Sequence, residues 1–366
     1  IVAANAGRGS VSVLGGVITY LPPANFNGTD TVVYTISDGN GGIASATLTI
    51  VVNPANDAPI STGTIADLID NDGQELRGGD AVNLSVYFAD PDGDPLTFTA
   101  TNLPPGLSIN PVTGIVSGMI TSGASGPEGG RAYTVTVTAR DTNVVGAPAA
   151  TQTFTWFIDN IPPTAFSDQL TVSEDVGAAI GNVLANDTDP DGDGFAVSAV
   201  NGLALVAGAP VTVTGSAGGL FTVGADGAYT FTAGTAFADL QAGETRATSI
   251  VYTLRDDNGG LDTATLTVLV TGVNDAPAAA PIPAYVRADG ADLTGDPLSV
   301  TAFFTDPEGD ALTFSATGLP AGLTMNPDGS LAGTIANDAS RGGPLGNGTY
   351  TITVTASDGT ALTTAN

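Results

Sequence analysis

Two unlike segments of this chain each occur twice at nearly the same separation, and this periodicity limits the possible folds more than any other feature. SDGNGGIASATLTIVVNPANDAP (Ser37 to Pro59) aligns without a gap with RDDNGGLDTATLTVLVTGVNDAP (Arg255 to Pro277) at 13 of 23 positions, 218 residues apart. FADPDGDPLTFTA (Phe88 to Ala100) returns 216 residues later as FTDPEGDALTFSA (Phe304 to Ala316). A period of about 217 residues is longer than one small β domain and fits a pair of unlike ones, types B and A, in the order B, A, B, A. Pro-containing joints, NDAP and DNIPP, stiffen the chain near residues 56, 160 and 275. The expected domains are therefore 1–56, the C-terminal part of a type B domain; 57–160, type A; 161–275, type B; and 276–366, type A without its last strand. Two whole units need 2 × 217 = 434 residues, 68 more than the 366 here, so the chain reads first as a window on a longer array. Strands donated by neighbouring chains are the second reading.

Tyr133 to Ala139 (YTVTVTA), Thr263 to Val270 (TATLTVLV) and Thr349 to Ala356 (TYTITVTA) alternate apolar and polar residues with period two. They are rich in β-branched side chains, which suit half-buried strands. Gly, Pro, Asn and Asp clusters separate such runs, and no long stretch carries an apolar stripe of helical period. The expected fold is all-β, a tandem array of antiparallel β-sandwiches. Phe88, Phe98, Phe304, Phe314, Tyr252 and Tyr350 are core candidates. Trp156 shares a strand face with Phe154, which favours a core or joint position over a sugar-stacking platform.

Charge and residue types narrow the chemistry. There are 37 acidic residues against eight arginines, with no lysine, histidine or cysteine, for a formal net charge of −29. Nucleic acid and anionic membranes would repel such a chain, and no run of 18 apolar residues suggests membrane insertion. Without His, Lys or Cys there is no Ser-His-Asp triad, imidazole-held zinc, Schiff base or thiol nucleophile. No carboxylate pair outside the turn clusters suggests a glycosidase, so the expectation is that the chain is not an enzyme. Cations are the natural counter-charge.

Three turns concentrate the acids: Asp90, Asp92 and Asp94; Asp189, Asp191 and Asp193; Asp306, Glu308 and Asp310. Asp, Pro and Gly make ordinary hairpin turns, so one DPDGD can be only that. A turn needs one or two such residues, however, and these hold three acids each, in three places. Carboxylates at i, i+2 and i+4 around a Pro-Gly bend can converge on a hard cation taking six to eight oxygens at about 2.3–2.6 Å, as calcium does.

The segment RDDNGGLDTATLTVLVTGVNDAP resembles the end of a cadherin repeat, and DPDGD sits where cadherins carry an Asp-x-Asp calcium motif. The type A domains, with LPPGLSINPVTGIVSG (Leu103 to Gly118) and LPAGLTMNPDGSLAG (Leu319 to Gly333), resemble dystroglycan-type cadherin-like domains. PPTAFSDQLTVSEDVGAAIGNVLANDTDPDGDG (Pro162 to Gly194) resembles the bacterial VCBS and cadherin-like repeats of large surface adhesins, RTX adhesins among them. The resemblance covers nearly the whole chain and implies Ig/cadherin-like Greek-key sandwiches with calcium (Ca2+) at the joints. At the first joint it implies Asn56 and Asp57 with Asp90, Asp92 and Asp141 as ligands. At the second it implies Asp159 and Asn160 with Asp189, Asp191 and Asp256. At the third it implies Asn274 and Asp275 with Asp306, Glu308 and Asp358, joined by Glu174 and Glu244 as the two family glutamates. Asp94, Asp193 and Asp310 share that ion, bind one of their own, or bind none. The linkers depart from the family pattern in lacking its first Asp, with Asn53 or Thr271 nearby instead, and type A offers only Glu75 and Glu128 as upstream glutamates.

The function so implied is that of a calcium-rigidified spacer in a large extracellular bacterial adhesin or surface filament, on the cell surface or secreted, serving adhesion or biofilm formation. Its partners are neighbouring repeats of the same chain, with self-association into filaments a further option. The alternative is a module whose type A domains bind carbohydrate or protein.

Overall fold

A computed structural model describes residues 1–142, 148–206, 209–294 and 298–366. Among the described residues the chain is all-β, 47% strand, built of mostly antiparallel sheets in tandem. It divides into two compact units: Ile1–Ile161 with the loops Pro190–Asp193 and Asp257–Gly260, and the remainder.

In the first unit, Gly28–Ser37 and Ile43–Val52 form a long antiparallel hairpin flanked by Ala3–Ala6. A four-stranded sheet follows, in the order Leu96–Thr101, Gly130–Asp141, Ala149–Asp159 and Leu68–Asn71, with the last pair parallel. Leu107–Ile109, Ile115–Met119 and Glu75–Leu76 make a second sheet, and the core of residues 65–158 draws on both sheets. The alternation read from Tyr133 to Ala139 is the burial pattern of Gly130–Asp141, whose Tyr133, Val135, Val137 and Ala139 are buried. Trp156 is fully buried beside Phe154, ring centroids 5.9 Å apart, and its indole N–H donates to Asp70 Oδ2 at 2.9 Å. That placement makes it a core residue, since a sugar-stacking ring needs an open face.

In the second unit, Asp168–Ser173, Leu261–Thr271, Thr245–Asp256, Phe195–Val200 and Leu203–Ala204 form a five-stranded sheet whose first pair is parallel. Ala179–Asn182, Ala228–Thr232, Leu220–Val223 and Val211–Thr214 form a four-stranded sheet. Their core includes Tyr252, Phe221, Phe231 and Leu266. Residues 276–366 repeat the plan of 57–160 in smaller form. Thr313–Thr317, Thr353–Ser357 and Leu362–Ala365 form one three-stranded sheet, and Leu298–Ser299, Ser330–Gly333 and Leu323–Met325 another. Here Leu362–Ala365 pairs with Thr353–Ser357 on the side where Ala149–Asp159 lies in the earlier segment.

The sequence repeat is a packing repeat. Phe88 and Phe98 meet edge to face at 6.1 Å, and Phe304 and Phe314 at 5.5 Å. In both LPPGL and LPAGL the glycine has positive φ, +92° at Gly106 and +90° at Gly322. A Cβ there would collide with the carbonyl of Met119 or Thr334, so the bend admits only glycine. Tyr350, expected in the core, is half-buried where Tyr133 is buried.

Candidate metal centre

The sheets deliver acidic side chains to three places. In the DPDGD turn of the first unit, Asp90, Asp92 and Asp94 bring a carboxylate oxygen each to within 4.8 Å of one another. Asp90 Oδ1 accepts from the main-chain N–H groups of Asp92 at 2.9 Å and Asp94 at 3.3 Å, so the turn is wrapped around one carboxylate. Its other oxygen, Oδ2, is buried with no hydrogen-bond partner. The linker reaches this turn: Asp57 N–H donates to Asp92 Oδ2 at 2.7 Å, and Asn56 Nδ2 donates to the Asp57 carbonyl at 3.1 Å. Asp141 is buried at the end of its strand, in register with Leu96, two residues after Asp94.

A second group, also in the first unit, joins Asp191 and Asp193 to Asp72, within the same 4.8 Å limit. Asp72 is 1% exposed and immediately follows the strand Leu68–Asn71. Its N–H donates to the Asp159 carbonyl at 3.0 Å, and its carboxylate accepts from Ser125 N–H at 2.9 and 3.0 Å. Burial, followed by the Asp191 charge, raises its pKa, while the Ser125 hydrogen bonds pull it back. Asn258 ties the group together, its Nδ2 donating to Asp72 Oδ2 at 3.0 Å, Asp193 Oδ2 at 2.5 Å and the Ser122 carbonyl at 2.7 Å. Ile161 N–H donates to Asp191 Oδ2 at 2.9 Å, and Asn160 N–H donates to the Gly129 carbonyl at 3.2 Å. Gly73, at φ +66°, lets the main chains close in, since a Cβ there would lie 2.7 Å from the Asp191 carbonyl oxygen. Asp189, half-buried, and Asp256, buried and in register with Phe195, belong to the second unit.

The third group, in the second unit, is Glu174, Asp275 and Glu308. Glu174 is 7% exposed; its Oε1 accepts from Val273 N–H at 2.6 Å, and its Oε2 is buried with no partner. Asp275 N–H donates to Glu308 Oε1 at 2.6 Å, and Glu308 Oε2 and Asp306 Oδ2 are likewise buried and unpartnered. Burial is the chief reason that the pKa values of Glu174 and Asp275 are raised, and neighbouring carboxylates add to it. Asn274 donates to Asp358 Oδ2 at 3.1 Å, and Asp310 N–H donates to Asp306 Oδ1 at 3.0 Å. Asp358 is held well below the usual carboxylate range by the N–H groups of Ala361 and Thr360. Glu244 does not join this group. It is exposed, and its Oε2 accepts from Gln241 N–H at 3.2 Å, closing its own turn.

Asp72 is the acid that sequence reasoning missed. It follows a strand parallel to Ala149–Asp159, just as Glu174 follows one parallel to Leu261–Thr271. Each donates its N–H to the partner strand's last residue, Asp72 to Asp159 and Glu174 to Thr271, both at 3.0 Å. The signal was the shared position after the edge strand, an acid in both LIDND and LTVSE. Of the proposed type A acids, Glu75 pairs with Arg77 at 3.3 Å and Glu128 is exposed.

The bacterial cadherin-like domain family matches residues 160–272, the bacterial Ig domain family residues 1–51, and a family described as "Putative Ig domain" residues 70–158 and 276–366. The chain is a tandem array of bacterial cadherin-like and Ig-like domains. No curated protein matches its sequence. Among solved structures, Drosophila N-cadherin EC1-4 is 15% identical, with 99% of this chain and 91% of that one covered at a TM-score of 0.35. The human desmocollin-1 ectodomain is 17% identical, with 92% and 66% covered at 0.34, so the array spans just under two thirds of that chain. An endo-fucoidan hydrolase of glycoside hydrolase family 107 is 17% identical, with 74% and 39% covered at 0.27. The cadherin-like domain at 160–272 supplies Glu174, Asp191 and Asp193 to the acidic groups, and the flanking Ig-like segments supply Asp72 and Glu308.

Proposed function

We propose that the chain is a structural segment of an extracellular bacterial adhesin or surface filament, in which calcium fastens successive domains. Cadherin-like and Ig-like domains are typically adhesion-related extracellular repeats. No described helix is long and apolar enough to cross a membrane. The observation that carries the reading is Glu174. A carboxylate oxygen buried without a hydrogen bond, beside two further acids, is strongly disfavoured unless a cation completes its coordination. Two oxygens bound to one calcium at about 2.4 Å lie at most about 4.8 Å apart, and the oxygens of each group are all within 4.8 Å of one another.

Each group combines acids from separate parts of the chain. Asp72 comes from 57–160, while Asp191 and Asp193 come from a loop of the following domain. Glu174 comes from 161–275, Asp275 from the linker and Glu308 from 276–366. The proposed ligands are Asp90, Asp92, Asp94 and Asp141 with Asn56 and Asp57 at the first joint. Asp72, Asp191 and Asp193 serve the second; Asp159, Asn160, Asp189 and Asp256 are further ligands that the motif match suggests. Glu174, Asp275, Asp306 and Glu308 serve the third, with Asn274, Asp310 and Asp358. An ion so held converts mutual repulsion into a cross-link, and its binding energy stabilises the joint. Small-angle scattering with calcium and with chelator tests this: the loaded chain is expected to be the less flexible, and superimposable profiles would sink the spacer reading.

Acid should separate the loaded from the metal-free chain. The folded-state pKa values of Asp72, Glu174 and Asp275 are raised, so their ionised forms cost stability above those values, and that cost disappears as pH falls through them. The metal-free chain is therefore expected to gain stability from these groups as pH falls from the raised carboxylate range to the ordinary one, while calcium, competing with protons, loses affinity. Thermal unfolding at pH 7 and pH 5, with and without calcium, reads both signs.

A further inference from the structure

The second and third acidic groups are held together by different means. At the third, main-chain N–H groups satisfy one oxygen each of Glu174 and Glu308, while Glu174 Oε2 and Glu308 Oε2 are buried without a hydrogen bond. At the second, a neutral side chain stands among the acids. Asn258 is 6% exposed, and its Nδ2 lies 3.0 Å from Asp72 Oδ2, 2.5 Å from Asp193 Oδ2 and 2.7 Å from the Ser122 carbonyl oxygen. A main-chain carbonyl only accepts, so the NH2 end of the amide is the end that faces this cluster. Its two hydrogens serve three oxygens, two of them on buried carboxylates, where a hydrogen bond to charge is at its strongest.

These contacts join parts of the chain that are far apart in sequence. Asp72 follows the strand Leu68–Asn71, Ser122 lies three residues before Ser125, and Asp193 ends the second DPDGD turn. Asn258 sits in the hairpin between Thr245–Asp256 and Leu261–Thr271. The hairpin that carries Asp358 beside the third group is shorter. Five residues separate the paired Arg255 and Leu261, against four between the paired Ser357 and Leu362. Those four are Asp358, Gly359, Thr360 and Ala361, so that loop has no side-chain amide to offer Glu174 or Glu308.

We propose that Asn258 is a built-in counter-group whose amide keeps the second acidic group closed when no cation is present. Its N–H bonds meet Asp72 and Asp193 where an ion would otherwise have to balance them. The third group has no such side chain, so its closure depends on the ion. An ion entering the second group must also displace hydrogen bonds that the third group lacks, so calcium binds the second more weakly. The contrast between the groups rests on the cation reading of the third; the closure of the second by Asn258 does not.

Hydrogen exchange of the full chain, in chelator and in millimolar calcium, reads each group from single amides. Ile161 N–H, bonded to Asp191, and Ser125 N–H, bonded to Asp72, report on the second group. Val273 N–H and Asp275 N–H, bonded to Glu174 and Glu308, report on the third. In chelator the Ile161 and Ser125 amides are expected to stay protected by at least about 100-fold over the unstructured rate, while Val273 and Asp275 lose protection and regain it with calcium. Asn258→Asp keeps the side chain's size but exchanges its donor for another carboxylate. In that variant Ile161 and Ser125 should exchange at least about tenfold faster in chelator and recover in calcium, which should bind there about tenfold more tightly for the added ligand charge. Asn258→Leu, which removes the donor without adding charge, repeats the test, and the amides of Leu266 and Val268 in the adjoining sheet show that the opening is local. Unprotected Ile161 and Ser125 amides in the wild-type chain in chelator, or protection indifferent to both substitutions, would overturn the proposal. Val273 and Asp275 amides that ignore calcium would instead overturn the cation reading of the third group.

Discussion

Glu174→Gln is expected to weaken calcium binding at the third acidic group by at least about 100-fold. Loss of a partner that merely orients a metal ligand costs 10- to 100-fold, and Glu174 is placed as a direct ligand. Glutamine keeps the shape and the acceptor for Val273 N–H while removing the charge. In the metal-free chain the same substitution should leave stability unchanged or raise it, because burial and the charges of Asp275, Asp175 and Glu308 already disfavour the ionised carboxylate. Opposite signs on affinity and metal-free stability identify a ligand, whereas a purely structural Glu174 would lower stability with metal or without it. Calcium titration and thermal unfolding of both proteins supply the two readouts.

Trp156→Ala is expected to destabilise the 57–160 domain by about 3–5 kcal/mol, the usual result of deleting a large aromatic from a filled core. The side chain is fully buried against Phe154, and the substitution also strips Asp70 Oδ2 of its indole donor. Against the roughly 5–15 kcal/mol net stability of a domain this size, most of the fold's margin would go. Urea unfolding followed by circular dichroism measures it. A loss below about 1 kcal/mol would mean that the core around Trp156 is not packed as described.

Much of the fold was legible because its signals are local. Alternation marked Gly130–Asp141 and Leu261–Thr271 as strands, with buried and exposed residues in the expected order. The acidic turns were legible for the same reason, since each of Asp90, Asp92 and Asp94 lies within five residues and Pro-Gly forces the bend. Asp72 and Asn258 were not, because they reach Asp193 from 121 and 65 residues away, and period-two patterning says nothing about which strand ends meet. The topological equivalence of Asp72 and Glu174 appears only once each is seen to follow a strand in parallel pairing. Glu244 illustrates the converse: an acid matched by motif is satisfied by Gln241 N–H inside its own turn. Tyr350 was expected in the core and is half-buried, whereas its counterpart Tyr133 is buried.

Calorimetric titration of the metal-free 366-residue chain with calcium tests the central claim most directly. The account predicts saturable binding at more than one site, with one site's heat removed by Glu174→Gln and another's by Asp191→Asn. Heats indistinguishable from dilution up to millimolar calcium would contradict it.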